Sequence, residues 1–209
     1  MQHVSPKSDG FTLVELLVVI SIITILAGLT ISTMSFAQNN AARNRARAEI
    51  TGLSVAIESY KIDNGDYPRD ANTDGLDAST LPGMTTSAPS PYVLLSSVAL
   101  YKALSGDTAL LSGTTGVDSS GQKLKVYFPF KPNMLYPKVP AGTARTTATA
   151  VQAIVDPFKN VYGYSTIGSA VASGSAATSG TSGYNPTFDL WSTGGATSTS
   201  GTGVWLTNW

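Results

Sequence analysis

The sequence predicts an α+β fold in which one long N-terminal helix packs on a small antiparallel sheet with long loops. Three observations point there. Residues 11–32 are apolar almost throughout, and residues 33–62 continue with apolar side chains at helical spacing. After Gly65 the composition shifts to Ser, Thr, Gly and Ala, and short β-branched and aromatic runs alternate with turn residues.

The first element is the run FTLVELLVVISIITILAGLTIS, Phe11 to Ser32, whose one charge is Glu15. As a helix it would rise roughly 33 Å, against a hydrocarbon core of about 30 Å, so it predicts a membrane span over 11–32. A secretory signal would place a shorter apolar stretch ahead of a small-residue cut. Here the polar stretch MQHVSPKSDG comes first, which predicts a removable leader over 1–10 and a retained apolar segment.

Ala46, Ile50, Leu53, Ile57 and Tyr60 then recur at spacings of three and four, with Arg43, Arg47, Glu49, Glu58 and Lys61 mostly elsewhere on the wheel. This predicts an amphipathic continuation of the helix over 33–62. Asn64-Gly65 offers a left-handed stop and Pro68 prevents resumption. The whole helix, Phe11 to Ile62, would extend roughly 78 Å.

The remainder, 63–209, reads as one globular domain. Ser90-Pro91 begins a short helix whose apolar face is Leu94, Leu95, Val98, Tyr101 and Leu104, ending at Gly106. Strands are expected at Lys125 to Phe130, Val161 to Ser165, Phe188 to Ser192 and Val204 to Leu206, and a surface loop at Gly168 to Gly183.

Composition narrows the chemistry. The 209 residues carry 13 basic and 13 acidic side chains, so no net field favours nucleic acid. There is no cysteine, and the one histidine, His3, lies in the leader. A chain lacking residues 1–10 would therefore hold neither the commonest general base nor a thiol nucleophile. No carboxylate pair stands at a spacing that suggests glycosidase chemistry, and the chain does not read as an enzyme.

Glu15 is the first candidate functional residue. An ionised side chain inside a spanning helix costs several kcal/mol and calls for a partner. The helix carries no cation near it, so the nearest positive charge would be an α-amino group created at Phe11 by removal of the leader.

At this point Gly10-Phe11-Thr12-Leu13-Val14-Glu15 and the apolar run behind it resemble the processing signature of the type IV pilin and pseudopilin superfamily. The resemblance implies a pilin-like fold, peptidase cleavage between Gly10 and Phe11, N-methylation of Phe11, and a role for Glu15 in filament assembly. In a filament, Glu15 of one subunit would meet the Phe11 amine of its neighbour. It also implies that the C-terminal side faces the periplasm. A positive-inside count, with Lys7 before the run and Arg43, Arg45 and Arg47 after it, points the other way. Those arginines lie more than ten residues beyond the apolar edge, and the orientation is taken from the resemblance.

Further motifs are similar to those of the major pseudopilin of type II secretion. They are Asp63-Asn64-Gly65-Asp66-Tyr67-Pro68, Gly75-Leu76-Asp77-Ala78, Asp156 to Tyr164 with Lys159 where a glycine is usual, Phe188 to Ser192, and Asn208-Trp209. The resemblance implies a homo-oligomeric filament anchored in the bacterial inner membrane. Its implied partners are a prepilin peptidase, the secretion or pilus assembly machinery and minor pseudopilins. A surface pilin for adhesion or motility shares the same N-terminus. A pilin-anchored carbohydrate-binding module, using exposed aromatics such as Tyr184, Trp205 and Trp209, is the remaining alternative.

No cofactor is expected except, at most, calcium. The resemblance implies a calcium loop between the aromatic strand and Asn208-Trp209, but Thr193 to Trp205 holds no carboxylate. Asp70, Asn72 and Asp74 match the first half of a calcium loop, with oxygens at alternate positions and Gly75 at the turn. Its twelfth position, Leu81, lacks the closing ligand. A solvated turn is the favoured reading of that segment.

Overall fold

A computed structural model describes residues 10–78, 91–111, 123–140, 142–174, 183–195 and 205–209, without the side chains of residues 30–33, 35, 91 and 92. The leader residues 1–9, the expected cap Ser90, and 196–204 of the C-terminal loop lie outside the described residues. The chain divides into two compact units, Met1–Ala41 and Ala42–Trp209.

Helix α1 runs unbroken over Leu13–Asn64, 52 residues, with no proline to interrupt it. It stops where the sequence predicts. Gly65 takes a left-handed conformation with φ 84°, and its N–H closes the last turn on the Lys61 carbonyl at 2.8 Å.

In the first unit the described side chains from Phe11 to Leu29 are all exposed. Among the described residues no helix is long and apolar enough to cross a membrane. The described side chains from Leu13 to Leu29 cover about 24 Å of helix, and Met34 and Phe36 farther along α1 are exposed as well. The last residues of the expected span, 30–32, have side chains outside the description.

The second unit is built on the other half of α1. Ala46, Ile50, Leu53 and Ile57 are buried, and Tyr60 packs against the same core. This is the stripe that the spacing predicts. Helix α2 (Ala71–Asp74) and helix α3 (Pro91–Ser105) follow, and Leu100, Tyr101 and Leu104 of α3 join the core.

Two small antiparallel sheets complete the unit. Strand β1 (Leu135–Tyr136) pairs with β2 (Ala153–Ile154). Strand β3 (Gly163–Ser165) pairs with β4 (Asp189–Ser192), which pairs in turn with β5 (Leu206–Thr207). The alternation along these strands sorts their side chains: Tyr164, Leu190 and Leu206 join the α1 core, whereas Trp191 packs with Trp205, Leu76, Val93 and Val161 in a second cluster. Trp191 lies across Gly163, its partner in register, where a Cβ would stand 2.0 Å from the indole.

The structure corrects three expectations. Lys125 to Phe130 is not a strand. The Tyr127 and Phe128 N–H groups instead donate to the Leu104 carbonyl at 2.8 and 3.1 Å, closing the C-terminus of α3. The second sheet comes from β1 and β2, which the sequence reading did not anticipate. The expected loop from Gly168 contains helix α4 (Ile167–Ala172).

Placement of the α1 stripe predicts opposite outcomes at neighbouring positions. Leu53→Ala should cost about 2 to 5 kcal/mol in urea unfolding followed by circular dichroism, because Leu53 is fully buried. Val55→Ala should stay within about 0.5 kcal/mol, since Val55 is 62% exposed.

Candidate functional site

The N-terminal site comprises Gly10, Phe11, Thr12 and Glu15. The Gly10–Phe11 bond lies in non-helical backbone ahead of α1, and both residues are exposed, Phe11 to 82%. A Cβ added at Gly10 would meet nothing within 4 Å. Nothing in the fold therefore requires glycine there.

Glu15 turns back onto its own helix. Its Oε2 accepts from the Thr12 backbone N–H at 2.9 Å and from the Thr12 hydroxyl at 2.8 Å. The Thr12 Oγ1 in turn accepts from the Glu15 N–H at 3.2 Å. This is a reciprocal capping box: Thr12 is the N-cap and Glu15 the third helical residue, and two amides without helical partners are satisfied. The carboxylate also sits where the helix dipole favours negative charge. Thr12 was not singled out from the sequence, although its spacing of three from Glu15 is the signal for such a box.

The weak calcium candidate is organised differently from an ion-binding loop. Asp70 caps α2: its Oδ1 accepts from the Asn72 and Thr73 N–H groups at 2.8 and 3.0 Å, and Thr73 Oγ1 accepts from the Asp70 N–H at 2.8 Å. Asp74 Oδ2 accepts from Arg69 Nη2 at 2.9 Å, and its Oδ1 accepts from the Thr166 hydroxyl at 2.7 Å. The alternating oxygens are wound into one helical turn, with the two carboxylates engaged in different bonds. Among the described residues no group of three or more His, Asp or Glu side chains is placed to hold a metal.

The start of the C-terminal loop, Thr193 to Gly195, is held by hydrogen bonds within the chain. Asp156 Oδ1 accepts from the Phe158 and Asn160 N–H groups, and its Oδ2 accepts from the Ser192 hydroxyl. Ser192 Oγ accepts from the Gly194 N–H at 3.0 Å, and Arg43 Nη1 donates to the Gly194 carbonyl at 3.1 Å. Burial pushes the Asp156 carboxyl up from its ordinary range, and these donors offset part of that shift. Lys159, in the turn after Asp156, sits at φ 73°. A side chain is strained in that region, which accounts for the glycine usual in the resembling motif.

The aromatics proposed for sugar stacking pack on one another. Trp205, expected to be exposed, is buried and lies parallel to Trp191 with centroids 6.0 Å apart, whereas Tyr184 and Trp209 are exposed as expected and stack on each other at 4.4 Å.

Comparison with known proteins gives two adjoining family matches. Residues 5–31 match the prokaryotic N-terminal methylation motif. Residues 34–95 match the family described as type II secretion system, protein G. Among curated proteins, the chain is similar to the type II secretion system core protein G of Aeromonas hydrophila, 39% identical over 85 residues covering 41% of this chain and 57% of the relative. It is similar to the protein of the same description from Escherichia coli K12, 36% identical over 85 residues, covering 39% and 57%. The Pseudomonas aeruginosa protein of that description is 35% identical over 72 residues, covering 34% and 49%. The chain thus spans about half the length of the curated relatives it matches. No solved structure matches it.

Two predictions follow from this geometry. Adding EGTA should leave the melting temperature unchanged, because the Asp70 and Asp74 oxygens are already engaged. A bound ion at a hundredfold excess over its Kd would contribute about 2.7 kcal/mol, or a fall of about 5 to 10 °C on chelation for a chain this size. Should the Gly10–Phe11 bond be a processing site, Gly10→Val would block cleavage there without altering thermal stability, since a Cβ at Gly10 meets nothing within 4 Å. An equal loss of stability would mean that the glycine serves the fold itself.

Proposed function

We propose that this chain, which matches the prokaryotic N-terminal methylation motif over residues 5–31 and the type II secretion system protein G family over 34–95, is a pilin-like protein and the structural subunit of a type II secretion pseudopilus. The observation that carries the reading is the succession of two family matches along one N-terminus: a methylation motif over 5–31 and a protein G match over 34–95. The role is mechanical rather than enzymatic. Subunits wait in the inner membrane, are added one by one to a periplasmic filament, and the growing filament drives folded cargo outward.

In this reading the leader ends at Gly10, Phe11 is N-methylated, and Phe11 to Ser32 spans the bilayer with the Ala42–Trp209 unit in the periplasm. All-round apolar exposure from Leu13 to Leu29 supports the anchor, because such a helix has no favourable face in water. The partners are a prepilin peptidase, the assembly machinery of the secretion system and minor pseudopilins.

Assembly would change the partner of Glu15. In the single chain its carboxylate caps α1. In the filament it would also neutralise the methylated amine of the adjacent subunit, which would otherwise be buried as an unpaired charge. The two roles separate by mutation. Thr12→Ala removes the capping hydroxyl at a cost of about 1 kcal/mol but keeps the carboxylate, whereas Glu15→Leu removes the carboxylate and leaves the Thr12 hydroxyl to accept from the residue-15 N–H.

The test is filament growth in cells carrying the secretion motor, scored by shearing and electron microscopy. Glu15→Leu is expected to accumulate as processed membrane monomer with no filaments, while Thr12→Ala still polymerises. Normal filaments from Glu15→Leu would overturn the counter-ion role, and filaments that grow without the motor would overturn the secretion reading.

A further inference from the structure

The open edge of β5 faces a groove that the reading above leaves unused. Thr207 opposes Trp191 on β4, and the next residue, Asn208, donates its N–H to the Leu190 carbonyl at 3.1 Å. Hydrogen bonding alternates along an antiparallel strand, so the Thr207 N–H and C=O point away from β4. Among the described residues no other strand pairs with that side of β5.

What lies beside the edge is space. A groove of about 480 Å³ is lined by Arg47, Ile50 and Thr51 of α1 and by Trp205 and Thr207. At Ser54 and Asn208 it meets a second groove of about 550 Å³, lined by Val55, Glu58 and Ile62 on one side and by Asn185 and Phe188 on the other. From Arg47 to Ile62 the helix rises about 22 Å, the length of an extended segment of roughly seven residues. Val55 and Ile62, 62% and 82% exposed, are the apolar side chains that α1 contributes to this lining, among Ser54, Glu58 and Ser59.

We propose that this groove binds an extended peptide segment, which adds to β5 as a fourth antiparallel strand between the sheet and α1. Polarity and charge specify the occupant. Trp205 to Thr207 lie at the Arg47 end and Asn208 at the junction, so β5 runs along the groove in the same sense as α1. A strand antiparallel to it enters at the Glu58 end and leaves at the Arg47 end. The complementary segment is basic at its N-terminal end, apolar and β-branched in the middle, and acidic at its C-terminal end. Its backbone supplies affinity and its end charges set direction. The inference does not depend on whether the chain polymerises.

The experiment is isothermal titration of the full chain in detergent micelles with three synthetic peptides. The first reads Lys-Thr-Val-Thr-Val-Thr-Glu, the second has its end charges exchanged, and the third is the first with alternate amides N-methylated on the edge that would face β5. The expected result is saturable binding of the first, about tenfold weaker binding of the second, and none of the third. Arg47→Glu should abolish the preference between the first two, and the exposure of Arg47 leaves the fold intact. The proposal is overturned if no peptide binds up to about 1 mM, a free energy of about −4.1 kcal/mol. Equal binding of the N-methylated peptide, or of both charge orders, also overturns it. So does self-association of the chain that the first peptide fails to displace, which would make the groove a contact between copies.

Discussion

Burial of one stripe of α1 is the interaction on which the globular unit depends. Ala46, Ile50, Leu53 and Ile57 form the surface on which Tyr162, Tyr164, Leu190 and Leu206 gather. Strands of two to four residues have little stability of their own. They hold because their alternate side chains are buried against a helix whose own turns are already hydrogen-bonded. The loops can therefore be long and rich in small residues without loss of the fold.

The same helix carries a different burden at its other end. From Leu13 to Leu29 its described side chains are exposed and apolar, apart from Glu15 and small hydroxyl residues. Ser21 and Thr24 return their hydroxyls to the Leu17 and Ile20 carbonyls, both at 2.7 Å, so those polar atoms are satisfied within the helix. Glu15 meets the same demand by bonding to Thr12. In the membrane-spanning role proposed for this end of α1, a lone carboxylate would cost several kcal/mol, and engaging two donors at the positive end of the helix would reduce that cost.

How much could be read from sequence differs between elements for physical reasons. The course and end of α1 were legible because a long periodic stripe and the Asn64-Gly65 stop are strong local signals. Strands β3 and β4 were legible because Tyr162 and Tyr164, and Phe188 and Leu190, place aromatic or apolar side chains at every second position. Lys125 to Phe130 shows the same alternation, yet its amides go to the Leu104 carbonyl; a backbone donor's destination is a tertiary fact that no local pattern encodes. Strands β1 and β2 are too short to leave a period. At the N-terminal site, Glu15 stood out because one charge in an apolar run has few explanations, whereas Gly10 and Phe11 were named only through the resemblance to a processing signature. Thr12 escaped notice because a threonine among small residues reads as ordinary until its hydroxyl is seen on Glu15. The Asp70 segment was ambiguous, since the oxygen-rich spacing of a cation loop is also that of a capped helical turn, and a turn was the favoured reading.

The proposed function requires that cleavage create a new N-terminus at Phe11, two residues ahead of α1. The most direct measurement is the intact mass and N-terminal fragment spectrum of the chain extracted from membranes of cells with an active prepilin peptidase. The account predicts a chain that begins at Phe11 and carries one methyl group on its α-amine. A chain that still begins at Met1, or one cut on the far side of the apolar run, would contradict it.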